Sequence, residues 1–97
     1  MMLLTERETP EGRLVSVADA DTLGETYENG AVSLTVEREF YDGDEATAEE
    51  VTSALARCSV ANLVGEQAVA VAVEAGFVDE ANVLDLDGTR HAQYLRL

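Results

Sequence analysis

Alternation of apolar and polar residues is clearest over Val32–Phe40. Val32, Leu34, Val36 and Phe40 fall on one side, and Ser33, Thr35, Glu37 and Glu39 on the other, which predicts a strand. Arg38 interrupts the apolar side, so its guanidinium belongs at an edge or in an ion pair. Leu3–Arg7 and Leu14–Ala18 read as two further strands, with Thr9-Pro10-Glu11-Gly12 as the turn between them. Asp19–Gly30 admits two readings. Asp19 or Asp21 caps a short helix that runs to Tyr27 or Glu28, or Asn29-Gly30 turns a hairpin.

Past the turn at Tyr41-Asp42-Gly43-Asp44 the period becomes helical. Thr47 followed by Glu50 makes a capping box. Val51, Leu55 and Cys58 then share one face, with Ala54 beside them. Arg57 sits in the last turn, where a cation suits the helix dipole. Val60–Val64 is a short strand or a helical turn. A second helix starts at Gly65 or Glu66 and runs to Ala75, with Ala68, Val69, Ala72 and Val73 inward and Gly76 just past its end. Val83–Leu86 and Ala92–Leu97 form a last pair of strands around Asp87-Gly88. This order predicts an α+β fold, a small mixed or antiparallel sheet with two main helices packed on one face. No linker or repeat divides the chain, so residues 1–97 are expected to form a single compact domain.

Charge changes the setting of this fold, not its pattern. Twenty of the 97 residues are Asp or Glu, none is Lys, and the net charge is −14. The chain is also 46% hydrophobic, which opposes disorder. Carboxylates at this density repel one another in dilute buffer. In molar salt the Debye length falls to about 3 Å and the repulsion is screened. Acid excess, absent Lys and many small residues resemble the composition of salt-accumulating archaea, so a halophilic cytoplasmic protein is expected. One cysteine, Cys58, forms no internal disulfide and fits a reducing compartment. Met1–Leu4 is too short an apolar start for a signal peptide, and no apolar run nears the ~20 residues of a membrane span.

Candidate chemistry is sparse. Cys58 shares its helix face with Val51 and Leu55, which makes it a small core hydrophobe. His91 is the single histidine; on an alternating strand it shares a side with Gln93 and Leu95, opposite Arg90, Ala92, Tyr94 and Arg96. Asp19-Ala20-Asp21, Asp42-Gly43-Asp44-Glu45 and Asp85-Leu86-Asp87 bring carboxylates together, but pairs of this kind arise readily in so acidic a chain. None completes a calcium loop. One Cys and one His are too few for zinc. There is no phosphate loop and no nucleophile elbow, so neither cofactor nor metal is expected. Gly65 opens a helix whose N-terminus suits an anion, with Glu66 competing for it.

Several ordered segments resemble an archaeal family known as domain of unknown function 424. They are Leu23–Gly30, Glu39–Gly43, Val60–Gly65 with Ala68-Val69, Gly76-Phe77-Val78 and His91-Ala92-Gln93. Asp42 stands where the family commonly has a second Gly. The resemblance spans nearly the whole chain and implies a compact α+β domain with no catalytic residues to carry over.

The expected function is a non-catalytic binding or accessory module, with a protein or an RNA-containing assembly, such as translation machinery, as partner. The expected binding residues are Asn62 and Gly65 at the helix entrance and Arg90, His91 and Gln93 before the C-terminus. Arg90 offers a fork of donors to phosphate or carboxylate, and Gln93 an amide. The alternative is a small enzyme using His91 with a neighbouring carboxylate. Self-association through an exposed Leu14–Ala18 strand is a third reading.

Overall fold

Along Leu14–Ala18 no residue is charged, so a strand built from it must be covered on both faces. In a computed structural model describing residues 1–96, it is. Strands β1 (Met2–Thr9) and β2 (Gly12–Asp19) form the N-terminal hairpin. On its other edge β2 pairs in parallel with β6 (Val60–Val64). β2 is therefore an interior strand, which rules out the expected self-association through it. Its hydrogen-bonding groups are already taken on both sides. The full sheet has six strands in the order β5-β1-β2-β6-β8-β7, with β5 at Asp44–Ala46, β7 at Leu84–Leu86 and β8 at Thr89–Leu95. It is mixed, since only β2 and β6 run parallel. Leu97, with which the expected last strand ended, lies outside the described residues.

The two main helices pack on one face, as expected. Helix α2 (Ala48–Arg57) starts at Thr47, whose hydroxyl accepts from the Glu50 N–H while the Glu50 carboxylate accepts from the Thr47 N–H. Helix α3 (Glu66–Glu74) ends where the Phe77 N–H reaches the Ala72 carbonyl and the Gly76 N–H that of Val73. Val51, Leu55 and Cys58 of the α2 segment join Ala68, Val69 and Ala72 of α3 over Val15, Val17, Ala61 and Leu63 of the sheet. The Cys58 thiol is buried and donates to the Leu55 carbonyl, and burial pushes its pKa up. Among the described residues no helix is long and apolar enough to cross a membrane.

The opposite face is covered only in part. Asp19–Gly30 takes the hairpin reading: after a 3₁₀ turn at Ala20–Thr22, β3 (Thr26–Asn29) pairs with β4 (Val32–Thr35). Gly30, at φ +62°, takes the first position of the two-residue turn, where a left-handed residue matches the twist of the strands. The expected Val32–Phe40 strand is shorter than its pattern. Val36 still exchanges backbone hydrogen bonds with Gly24 and Glu25, and then Arg38–Tyr41 closes into one helical turn, α1. This turn swings Phe40 and Tyr41 onto Leu3, Ala18, Leu23, Val36 and Val64, forming a second core. A straight strand would have left both rings away from that core. Arg7 braces the turn from β1, its guanidinium 5.0 Å from the Phe40 ring centroid and bonded to the Glu39 carbonyl at 2.8 Å.

Tyr41 gives this second core a pH signature. It is 5% exposed, and burial pushes its phenol up to about 12 from an ordinary value of 10.0. The unfolded phenol ionises first, so the stability of the neutral buried ring is intact below pH 10 and is lost as pH rises toward about 12. Tyr41→Phe removes that loss. Alkaline denaturation followed by circular dichroism is expected to show the variant gaining on the native chain across this window, by on the order of 2 kcal/mol at its upper end.

Candidate binding surface on the open side of the sheet

At the C-terminal ends of the parallel strands, β2 finishes at Asp19 and β6 runs through Gly65 into α3. The Asp19 carboxylate accepts from the backbone N–H groups of Gln67 and Ala68, both at 2.9 Å. The helix N-terminus that suited an anion is thus filled by the protein's own acid. Gly65 is buried at φ +114°, and a Cβ there would run into the Asp19 carboxyl group. Its N–H donates to the Arg90 carbonyl at 2.8 Å. Gly65 therefore stands at a structural junction. Burial holds the Asp19 pKa above its ordinary value, while the two backbone donors pull it down.

Side-chain alternation sorts the remaining expected residues. Asn62 and Val64 of β6 face away from α2 and α3, and their register partners on β8 are Gln93 and His91. Asn62, His91 and Gln93 therefore converge on the open side of the sheet. The Gln93 amide donates to the Asn62 side-chain oxygen at 2.9 Å. One NH2 group and one carbonyl of the two amides remain free, and exchanging both amide orientations leaves the same pair. His91 Nδ1 lies 2.9 Å from the Leu63 carbonyl oxygen. A carbonyl only accepts, so Nδ1 carries a proton and the neutral ring keeps Nε2 as an acceptor. Among the described residues His91 forms no ion pair with a carboxylate.

The amide pair ends a longer polar row. Thr5, Ser16, Asn62 and Gln93 are successive register partners across β1, β2, β6 and β8. The Thr5 and Ser16 hydroxyls are buried without a partner, at the end of the row nearer α1. Ser16 was legible as the one polar residue within Leu14–Ala18; its alignment with Asn62 was not, because register between distant strands is a tertiary fact.

Arg90 faces the other way, on the side of α3. Its guanidinium bonds Glu80 at 2.6 Å and Asp85 at 3.3 Å. The other arginines are similarly engaged. Arg13 pairs with Glu6 and Glu8, Arg57 with Glu6, and Arg96 donates to the carbonyls of Cys58 and Ala56. Arg38 is the exception: among the described residues its guanidinium makes no hydrogen bond or ion pair, while its carbonyl accepts from the Asp42 N–H. No group of three or more His, Cys, Asp or Glu side chains among them is placed to hold a metal ion.

Asp19→Ala strands two helix N–H groups and is expected to cost about 2 kcal/mol, with Asp19→Asn costing less because it keeps one acceptor. Gly65→Ala is expected to cost at least as much as Asp19→Ala, through backbone strain and the clash with Asp19. Equilibrium denaturation in molar KCl measures all three.

The fold has a solved counterpart. The chain superposes on the crystal structure of an uncharacterized conserved protein from Methanopyrus kandleri with a TM-score of 0.78 and 25% sequence identity, covering 99% of this chain and 94% of that one. No curated protein matches the sequence. The family model described as protein of unknown function DUF424 matches residues 6–97. A match over this length, joined to the shared fold, places the chain in the DUF424 family.

Proposed function

We propose that this chain is a non-catalytic binding module of the halophilic archaeal cytoplasm, and that its partner is a protein. The observation that carries the reading is the Asn62–Gln93 pair on the open side of the sheet. It offers one free donor beside one free acceptor, the pattern that a peptide group or another amide satisfies. His91 Nε2 adds an acceptor on the same side.

The state of the arginines supports protein over RNA. Phosphate backbones are bound chiefly through free Lys and Arg. Here Lys is absent, and five of the six arginines are held by the protein's own carboxylates and carbonyls. An RNA-bearing assembly is then reached through one of its protein components. The enzyme reading has less support, since among the described residues no carboxylate pairs with His91 to orient or relay its proton.

Capture from the native host at its working salt, after nuclease treatment, tests the reading. The native chain is expected to retain a protein partner that Asn62→Ala/Gln93→Ala loses at least ~tenfold, as removal of two hydrogen bonds implies. Capture that disappears with nuclease, or that ignores the double variant, defeats it.

The halophilic part rests on charge. Only four of the twenty carboxylates, Glu6, Glu8, Glu80 and Asp85, sit in ion pairs among the described residues. Asp19, Glu50 and Asp79 accept from backbone N–H groups, and the rest depend on salt to screen them. Thermal melts across KCl concentrations are expected to rise steeply toward molar salt. A melting temperature independent of KCl would remove this part of the proposal.

A further inference from the structure

Besides its outer strands, the sheet leaves two stretches of strand edge without a neighbouring strand among the described residues: β1 beyond Leu4, where Glu6 and Glu8 stand, and β8 beyond His91. Acids on the strand itself blunt the first, so the β8 gap is the informative one. The β5 edge is three residues long and carries Asp44 and Glu45, charges that discourage further pairing. The β7 edge is covered by the β3–β4 hairpin: the Asn29 amide donates to the Asp85 carbonyl at 2.8 Å, and the Asp87 N–H to the Glu28 carbonyl at 3.3 Å. β8, however, is longer than β7. Its pairing with β7 stops at His91 opposite Leu84, and β8 continues to Leu95.

The direction of the uncovered groups follows from the ladder. The Gly65 N–H donates to the Arg90 carbonyl and the Arg96 N–H to the Ser59 carbonyl, so the even residues of β8 bond toward β6. The odd residues bond the other way: Thr89 and His91 toward β7, and Gln93 and Leu95 toward no partner among the described residues. Asn82 would be the next partner, opposite Gln93. It sits instead in a 3₁₀ turn at Glu80–Asn82, its N–H on the Asp79 carbonyl at 2.8 Å. Two N–H and two C=O groups are thus left in line on an exposed edge. Leu84 and Leu95, 36% and 62% exposed, stand on the same side of the sheet as Gln93 and flank that edge.

We propose that this gap is a strand-addition site, where an extended segment of the partner protein continues the line of β7 and pairs with Gln93 and Leu95. The inference rests on the reading that the partner is a protein, and it specifies how that protein docks. Charge selects the segment. Asp79, Glu80 and Asp85 belong to the turn and strand that precede the gap; Arg90 pairs with Glu80 and Asp85, and the Arg96 guanidinium, next to Leu95, is turned onto the Cys58 and Ala56 carbonyls, on a chain of net charge −14. A second copy would bring the same acids against these. The occupant is therefore a basic segment, with apolar residues alternating so as to cover Leu84 and Leu95.

The test uses proline at an outward-facing position. Leu95→Pro removes an N–H that points away from β6, so the fold tolerates it, as edge strands do. The same change at Tyr94 breaks the β6 ladder and is expected to unfold the chain, which checks the register. The probe is a fluorescein-labelled eight-residue peptide of alternating Val and Lys, read by polarisation in the lowest KCl at which the fold holds. A Glu-for-Lys analogue and one N-methylated at alternate backbone nitrogens serve as comparisons. Leu95→Pro, the Glu analogue and the N-methyl analogue are each expected to lose at least ~tenfold in affinity, and Leu95→Ala at most ~threefold. Amide exchange at Gln93 and Leu95 is expected to slow when the Val/Lys peptide binds.

Binding by Leu95→Pro equal to the native chain overturns the proposal, as does equal binding of the Glu analogue. So does a peptide-free dimer in sedimentation that Leu95→Pro abolishes, which would assign the edge to a second copy. Partner capture that survives Leu95→Pro but falls with Asn62→Ala/Gln93→Ala removes the edge and leaves the binding face. Peptide binding that is sensitive to Leu95→Pro, without any nuclease-resistant partner, leaves the edge and removes the protein-partner reading.

Discussion

The Asp19 carboxylate holds together three parts of the molecule. It ends β2, neutralises the N-terminus of α3 through the Gln67 and Ala68 N–H groups, and sits against Gly65 at the end of β6. Parallel pairing of β2 and β6 brings those two strand ends side by side, and the helix then starts where an acid already waits. A helix N-terminus carries roughly half a positive charge and several unbonded N–H groups. Supplying its anion from a neighbouring strand ties the direction of α3 to the register of the sheet. The Gly65 N–H carries the same constraint on to β8 through the Arg90 carbonyl.

From that junction the two faces of the sheet diverge. One is closed by α2 and α3 over a continuous apolar core. The other is closed over Leu3, Ala18 and Val64 by the hairpin and α1, and is left more open toward Asn62 and Gln93. The arginines follow this division of labour. They tie the chain's own carboxylates and helix ends rather than forming a basic patch. In an acidic chain with six arginines, five have their guanidinium groups engaged by the protein's own carboxylates and carbonyls.

Much of the fold was legible in local pattern. The N-terminal hairpin, both main helices, the Thr47–Glu50 cap, the stop at Gly76 and the α+β class all follow from periodicity and end signals that act within a few residues. So does the division of β8 into two sides. The misreadings share a cause. Val32–Phe40 alternates well enough for a nine-residue strand, yet the second core draws Phe40 and Tyr41 down and breaks it after Val36. Leu14–Ala18 looked free to pair because nothing local shows that β6 arrives beside it. The expected site residues divided for the same reason: Asn62, His91 and Gln93 meet through the β6–β8 register, whereas Gly65 and Arg90 are taken up by Asp19, Glu80 and Asp85.

The sequence by itself determined most of the elements, their amphipathic faces and the net charge of −14, because each depends on composition or on neighbours along the chain. Only the tertiary structure decided which acid caps α3, which polar residues line up across four strands, and which backbone groups of β8 remain unpaired. Those depend on strand order and register, which join residues as far apart as Asp19 and Gln67, and no local interaction sets that distance.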